Sequence, residues 1–221
     1  MLMLKKFIKF NYTLSLPLLK RECEVDEKFG QIIKSEIIKL KPGNVVLEVG
    51  GVNRPYLSKS DLYKYIGLDI DAKGSHLYNE FYCQSILEKI PIKADLIFSR
   101  YLMEHVSDNK KSFKLQIESL NPGGVIVHTY PMGWHIFSII NKLIGNSLAR
   151  LFIRIMRPGS VGITGYKAYY DTGNSFSLEK FLRKNNLNYE VFYYYGAVDY
   201  FTFFYPFAVI VYFLNRFCEK F

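Results

Sequence analysis

A chain of 221 residues suits one α/β domain with an appendage and is long enough to bury a sizeable core. Its 29 Lys and Arg exceed its 20 Asp and Glu, and the resulting +9 suits nucleic acid, an anionic membrane surface or an acidic substrate. Cys23, Cys83 and Cys218 are dispersed and odd in number, which argues against a metal cluster or a disulfide framework and favours a reducing compartment.

The first 25 residues are basic and irregular, and Lys9 interrupts their apolar start, so they do not read as a signal peptide. From Asp26 to Leu40, apolar Phe29, Ile32, Ile33, Ile37 and Leu40 recur at helical spacing, and Pro42-Gly43 stops the helix. Asn44-Val45-Val46-Leu47-Glu48-Val49 reads as a buried parallel strand. It runs into Gly50-Gly51, which let the backbone approach something closely or take positive φ. The stretch from Asn53 to the next strand, Tyr65 to Asp71, is shorter than the dozen or more residues of an ordinary crossover, so any helix there is short or irregular.

That second strand also carries a carboxylate. Asp69 lies about twenty residues past the glycine turn, where nucleotide-binding α/β folds place the acid that holds ribose hydroxyls. Phe81-Tyr82-Cys83 suits a short third strand and Ala94 to Ser99 a fourth, followed by a helix with Met103, Val106, Phe113, Ile117 and Leu120 on one face. Asn121-Pro122-Gly123-Gly124 ends that helix, and Val125 to Thr129 is a fifth strand. The alternation predicts a doubly wound, mostly parallel Rossmann-like sheet.

Residues 131–172 form an insertion, with two amphipathic helices between Ile136 and Met156 and a loop carrying Tyr166, Tyr169 and Tyr170 as lid or substrate contacts. Ser177 is the expected N-cap of a helix to Asn185, and Tyr189 to Tyr195 the expected last strand. The boundaries are a basic segment 1–25, a main domain 26–195 and an apolar tail 196–221. From Tyr200 to Asn215 the tail is uncharged and rich in Phe and Tyr, and Pro206 is expected to break any helix through it. No segment reaches the roughly 20 apolar residues of a spanning helix. The tail is therefore expected to lie on a membrane surface, its alternatives being to fold back as core or to form a homodimer face.

Leu47-Glu48-Val49-Gly50-Gly51, Gly67-Leu68-Asp69, Ala94 to Ser99 followed by Leu102-Met103-Glu104-His105-Val106, and Leu120 to Gly124 stand in fixed order. Together, over about residues 44 to 130, they resemble the class I S-adenosylmethionine-dependent methyltransferases, in particular the small-molecule group called type 11. The resemblance implies a methyltransferase with S-adenosylmethionine as cofactor. Glu48, Gly50 and Gly51 would stand beside its methionine part, Asp69 would grip the ribose, and Ile70 and Asp71 would flank the adenine. Gln84 or Ser85 would stand near the adenine amino group, and Ser99 and Arg100 where the fourth strand opens toward cofactor and substrate. Val52 departs from the family's usual glycine, and Gln84 from its common Asp.

His105 and His128 are candidates for a proton acceptor, His105 reading more readily as a packed helix-start histidine. No His, Cys or Asp group has metal spacing. A nicotinamide dehydrogenase would need Gly-x-Gly-x-x-Gly opening a long helix, which this turn lacks. Nucleic acid is not an expected partner, since no basic-aromatic module accompanies the charge. The expected acceptor is a small or lipid-linked molecule, as in cell-surface polysaccharide or glycolipid assembly, and the expected location is the cytoplasm or the inner face of the membrane. The competing reading is a non-catalytic membrane-surface protein on a decayed methyltransferase fold.

Overall fold

The computed structural model describes residues 2–21, 24–51, 54–134, 136, 138–140, 143, 145, 167–172, 174–196 and 198–220. Cys23, Val52, Asn53, His135, Tyr166 and most of the helical insertion expected over 131–172 lie outside the described residues. The chain divides into two compact units: Phe29–Gly133 with Ala168–Asn185, and Met1–Lys28 with Trp134–Lys167 and Asn186–Phe221.

The first unit is built on five parallel strands, β1 (Asn44–Val49), β2 (Tyr63–Asp69), β3 (Glu80–Cys83), β4 (Ala94–Arg100) and β5 (Leu120–Thr129), in the order β3-β2-β1-β4-β5. The chain works outward from β1 on one side, then crosses it to β4, so the order reverses between β1 and β4. Ligands of open α/β sheets bind outside the carboxyl ends of the strands at such a reversal. Val46, Leu47, Tyr65, Ile66, Leu96, Ile97 and Phe98 are buried on the three central strands, as a sheet covered on both faces requires.

Helix α1 (Leu2–Ser15) opens the chain, and α2 (Glu24–Lys39) lays Phe29 and Ile33 against Val46, Tyr65 and Phe98. Asp95 enters β4 and fastens its neighbours. Its carboxylate accepts the Val45 N–H of β1 at 2.7 Å and the Asn121 side-chain N–H of β5 at 3.0 Å.

Several local expectations are corrected. The helix after β4 is shorter than the apolar pattern implies: a 3₁₀ turn, Met103–His105, precedes α3 (Asn109–Glu118), which Asp108 caps. Asn121 to Gly124 belong to β5, whose register against β4 shifts between Ala94 and Leu96, so these residues form a bulge. Helix α4 (Ser175–Lys184) is capped by Asn174, which accepts the Ser177 N–H at 2.7 Å, so Ser177 sits inside the first turn. Tyr189 to Tyr195 form no strand. They belong to the second unit, and an alternating pattern without a strand to pair with does not make a strand.

In the second unit the N-terminal segment is helical, not irregular. The tail forms a 3₁₀ turn, Val198–Phe201, and then α5 (Tyr205–Cys218). Pro206 starts this helix instead of breaking it, because in the first turn its missing N–H has no intrahelical acceptor to lose. Val198, Phe201, Ala208 and Val211 form a small core with Leu18, Leu19 and Ile136 packed around it. No helix among the described residues is long and apolar enough to cross a membrane.

Candidate functional site

The carboxyl ends of β2, β1 and β4 stand side by side. Val49 pairs with Leu68 on one side and Ser99 on the other, and the Gly50 N–H donates to the Leu68 carbonyl at 3.0 Å. Gly50, Asp69, Ser99 and Arg100, all singled out from the sequence, are thereby brought to one sheet edge. Gln84 joins them from β3, its N–H donating to the Asp69 carbonyl at 3.0 Å.

Glu48 is placed one residue inside this edge and is buried. Both carboxylate oxygens accept the Tyr56 N–H at 3.1 Å, and one also accepts the hydroxyls of Tyr65 and, at 3.2 Å, Tyr78. Burial pushes the Glu48 pKa above its ordinary value, against the opposing pull of these donors and of Arg100. The Tyr65 and Tyr78 hydroxyls are held well above the usual phenol range, by burial first and the Glu48 charge second. Tyr65 also accepts the Leu57 N–H at 3.2 Å. No helix occupies the described part of the β1–β2 crossover, and this network around Glu48 holds the segment in its place.

The glycine turn has a protein-internal reason as well. Gly50 has φ +79°, and a Cβ there would meet the Leu102 side chain at 2.8 Å. At Gly51 a Cβ would run into the Tyr78 hydroxyl and come within 2.7 Å of the Glu48 carboxyl carbon. The close approach that these glycines allow is made by Leu102, Tyr78 and Glu48.

Asp69 is the last residue of β2. Its side chain accepts the Asp71 N–H at 3.0 Å, which fixes the carboxylate at the rim. Ile70 follows with 63% of its surface exposed. Lys73 binds Asp71 at 2.9 Å and holds that carboxyl below its usual range. Gln84 donates its side-chain N–H to the Lys89 carbonyl, and Ser85 accepts the Leu87 N–H, so both close the loop after β3. A nucleoside fits this rim: a fixed carboxylate for vicinal hydroxyls beside an exposed aliphatic face for a base. The space against Gly50 and Gly51, where the methionine part would lie, is lined by Leu102 and Tyr78.

On β4, Ser99 is buried and its hydroxyl lies 2.8 Å from His128 Nδ1 on β5. Burial drives the His128 pKa down to about 3, so the ring is neutral and a poor proton acceptor near pH 7. The Arg100 guanidinium lies over the Tyr56 ring, 5.1 Å from its centroid. Tyr101, next in the chain, is left-handed at φ 54°, a strained conformation for an aromatic residue.

The sequence reading passed over Glu104. It is buried in the turn after β4, its carbonyl accepts the N–H groups of Tyr169 and Tyr170 at 2.7 and 3.1 Å, and Oε2 has no hydrogen-bond partner among the described residues. Burial raises its pKa to about 8. His105 Nε2 lies 3.9 Å from its Oε1. The Glu-His pair was visible in the sequence, but nothing local to it showed which member would be buried. Among the described residues no group of three His, Cys, Asp or Glu side chains could hold a metal ion.

No family model matches the chain, and no curated protein matches it. Solved structures do. The YcgJ protein from Bacillus subtilis aligns with 75% of this chain and 70% of its own, at 18% identity and a TM-score of 0.52. An S-adenosylmethionine-dependent methyltransferase from Clostridium acetobutylicum aligns over 58% and 61%, at 17% identity and a TM-score of 0.41. A phosphoethanolamine N-methyltransferase from Haemonchus contortus, bound to S-adenosylhomocysteine, aligns over 72% and 36%, at 17% identity and a TM-score of 0.48. At these identities the likeness is one of fold alone: a Rossmann-like parallel sheet flanked by helices, shared with the YcgJ protein.

Proposed function

We infer that the chain is an S-adenosylmethionine-dependent methyltransferase acting on a small or lipid-linked acceptor, with a hydroxyl as the favoured acceptor group. The observation that carries this reading is Asp69, fixed at the rim of β2 beside the exposed Ile70 and one strand away from the glycine turn. When bound, S-adenosylmethionine supplies a methyl group on a sulfonium, and its displacement is in line, so the protein's part is mainly positioning and desolvation. In this assignment Asp69 accepts the ribose hydroxyls, Ile70 covers one face of the adenine, and Gln84 and Ser85 shape the adenine end. Gly50 and Gly51 border the methionine end, where Leu102 and Tyr78 define the available room. Glu48 braces the turn from beneath through Tyr56, Tyr65 and Tyr78.

The environment of Glu104 suits proton transfer better than that of His128, since a pKa near 8 lies close to working pH and one near 3 does not. A place in polysaccharide or glycolipid assembly is the acceptor class we favour, and mass spectrometry of lipid-linked glycans with and without the protein tests it. The cofactor is tested by isothermal titration with S-adenosylhomocysteine. Micromolar binding supports the enzyme.

A second reading, a non-catalytic protein on a methyltransferase fold, is favoured by one observation: Leu102 and Tyr78 already pack on the two glycines. Absence of binding by folded protein would select it.

A further inference from the structure

Helix α1 is turned inside out relative to an ordinary amphipathic helix. The side chains it buries are polar: Asn11 and Ser15. The side chains it exposes are apolar: Met3, Phe7, Phe10 and Leu14 recur at i, i+4, i+7 and i+11, a single stripe, with Leu4 beside it. Met3 is 85% and Phe10 63% exposed, so the described residues leave the stripe uncovered.

Within the same unit, α5 buries Ala208, Val211 and Asn215 and exposes Phe207, Ile210, Phe213, Leu214 and Phe217. The two helices are joined. Phe7 stacks on Phe204, with ring centroids 6.5 Å apart, and Asn11 Oδ1 accepts the Tyr205 N–H at 2.9 Å, capping the start of α5. Asn11 in turn donates to the Phe7 carbonyl, so both of its polar ends are used. Its burial is explained by that cap. Apart from the Phe7 stack, the side chains of both stripes stay largely exposed among the described residues, and exposed apolar stripes on two joined helices mark a docking surface.

Charge decides what covers them. Lys5, Lys6 and Lys9 are exposed on α1, and the first 21 residues also hold Lys20 and Arg21 with no acidic residue. An apolar stripe bordered by lysines complements an anionic lipid surface, where the stripe enters the acyl boundary and the ammonium groups stay among the headgroups. At 14 residues each, α1 and α5 are about 21 Å long, too short to cross a hydrocarbon core of roughly 30 Å. We propose that α1 and α5 together form a monotopic docking surface for an anionic lipid bilayer, with α1 supplying the charge and both helices the apolar contact. The proposal stands independently of the methyl-transfer reading.

The test is flotation of the full chain with phosphatidylglycerol-rich vesicles at low salt, beside vesicles of phosphatidylcholine alone. The chain is expected to float with the anionic vesicles and to be released by high salt. Combined Lys5→Glu, Lys6→Glu and Lys9→Glu should lower the bound fraction roughly tenfold or more. Met3→Ser with Phe10→Ser, and separately Phe213→Ser with Phe217→Ser, should each lower it as well. All of these positions are exposed, and an unchanged circular-dichroism melt establishes that the variants are folded. The proposal is overturned if the full chain stays in the soluble fraction at low salt, or if the charge-reversed chain floats equally well. It is also overturned if light scattering without lipid gives a two-chain mass that falls to one chain in the Ser variants, since a second copy then covers the stripes.

Discussion

Glu48 and Asp69 lie at the carboxyl ends of adjacent parallel strands, both are largely buried, and their surroundings differ. Glu48 faces inward and is consumed by its own protein, accepting two tyrosine hydroxyls and a backbone N–H across the β1–β2 crossover. Asp69 stands at the rim, held by the N–H of Asp71 two residues on. A carboxylate at nearly the same height in the sheet is thus a brace in one strand and a rim group, bound to the next loop, in the other. Strand-end position alone does not assign a carboxylate to a ligand. The donors around it do.

Five substitutions break or sharpen this contrast. The largest effect is expected at Glu48→Leu, which leaves the Tyr65 and Tyr78 hydroxyls and the Tyr56 N–H without their acceptor. A loss of about 3–5 kcal/mol of stability follows from stranding buried donors, and urea unfolding measures it. A near wild-type unfolding midpoint would show that Glu48 is no brace. Gly50→Val comes next, at about 2–4 kcal/mol, because a β-branched residue at φ +79° is strained and its Cβ meets Leu102. Adding Leu102→Ala should recover part of that loss, and full additivity of the two changes would separate Gly50 from Leu102.

Asp69→Ala reverses the pattern. Its melting temperature should stay close to wild type while S-adenosylhomocysteine binding weakens by about 2–3 kcal/mol, the worth of charge-assisted hydrogen bonds to a ribose. Unaltered affinity in the folded variant removes Asp69 from the site.

The smallest effect is a slope. Burial lifts Glu104 from an ordinary 4.5 to about 8, so between those values the folded state holds a proton that the unfolded state has released. Stability should therefore fall as pH rises through that window. His128, lowered from 6.5 to about 3, works in the other direction: stability is lost as pH falls below 6.5. From pH 6.5 to 8 only the Glu104 trend of this pair remains, and Glu104→Gln should flatten it in thermal melts. An equal slope in the variant would place the titration elsewhere.

Much of the sheet was legible because its signals are local. The β-branched run at Val45, Val46 and Val49, the glycine turn and the spacing to Asp69 need no knowledge of distant chain. The brace was not legible, because Tyr65 and Tyr78 look like ordinary apolar fillers until the fold carries their hydroxyls to Glu48. Two punctuation signals misled for a related reason. Asn121-Pro122-Gly123-Gly124 reads as a helix stop, yet pairing with β4 absorbs it as a bulge. Pro206 reads as a helix breaker, yet its effect depends on which turn of a helix it occupies, and Asn11 helps to set where that helix begins.

The bond from Asn11 to Tyr205 spans 194 residues of chain, and this sets an order of events during synthesis. Sheet neighbours β1, β2 and β3 lie close together in sequence and can associate soon after they leave the ribosome. Helix α1 is translated before the helix it caps. At 5–20 residues per second, α1 waits on the order of 10–40 s for α5. Throughout that interval the greasy stripe of α1 is available while its polar anchor is not. The nascent chain therefore passes through a phase in which α1 is made and the helix it caps is not.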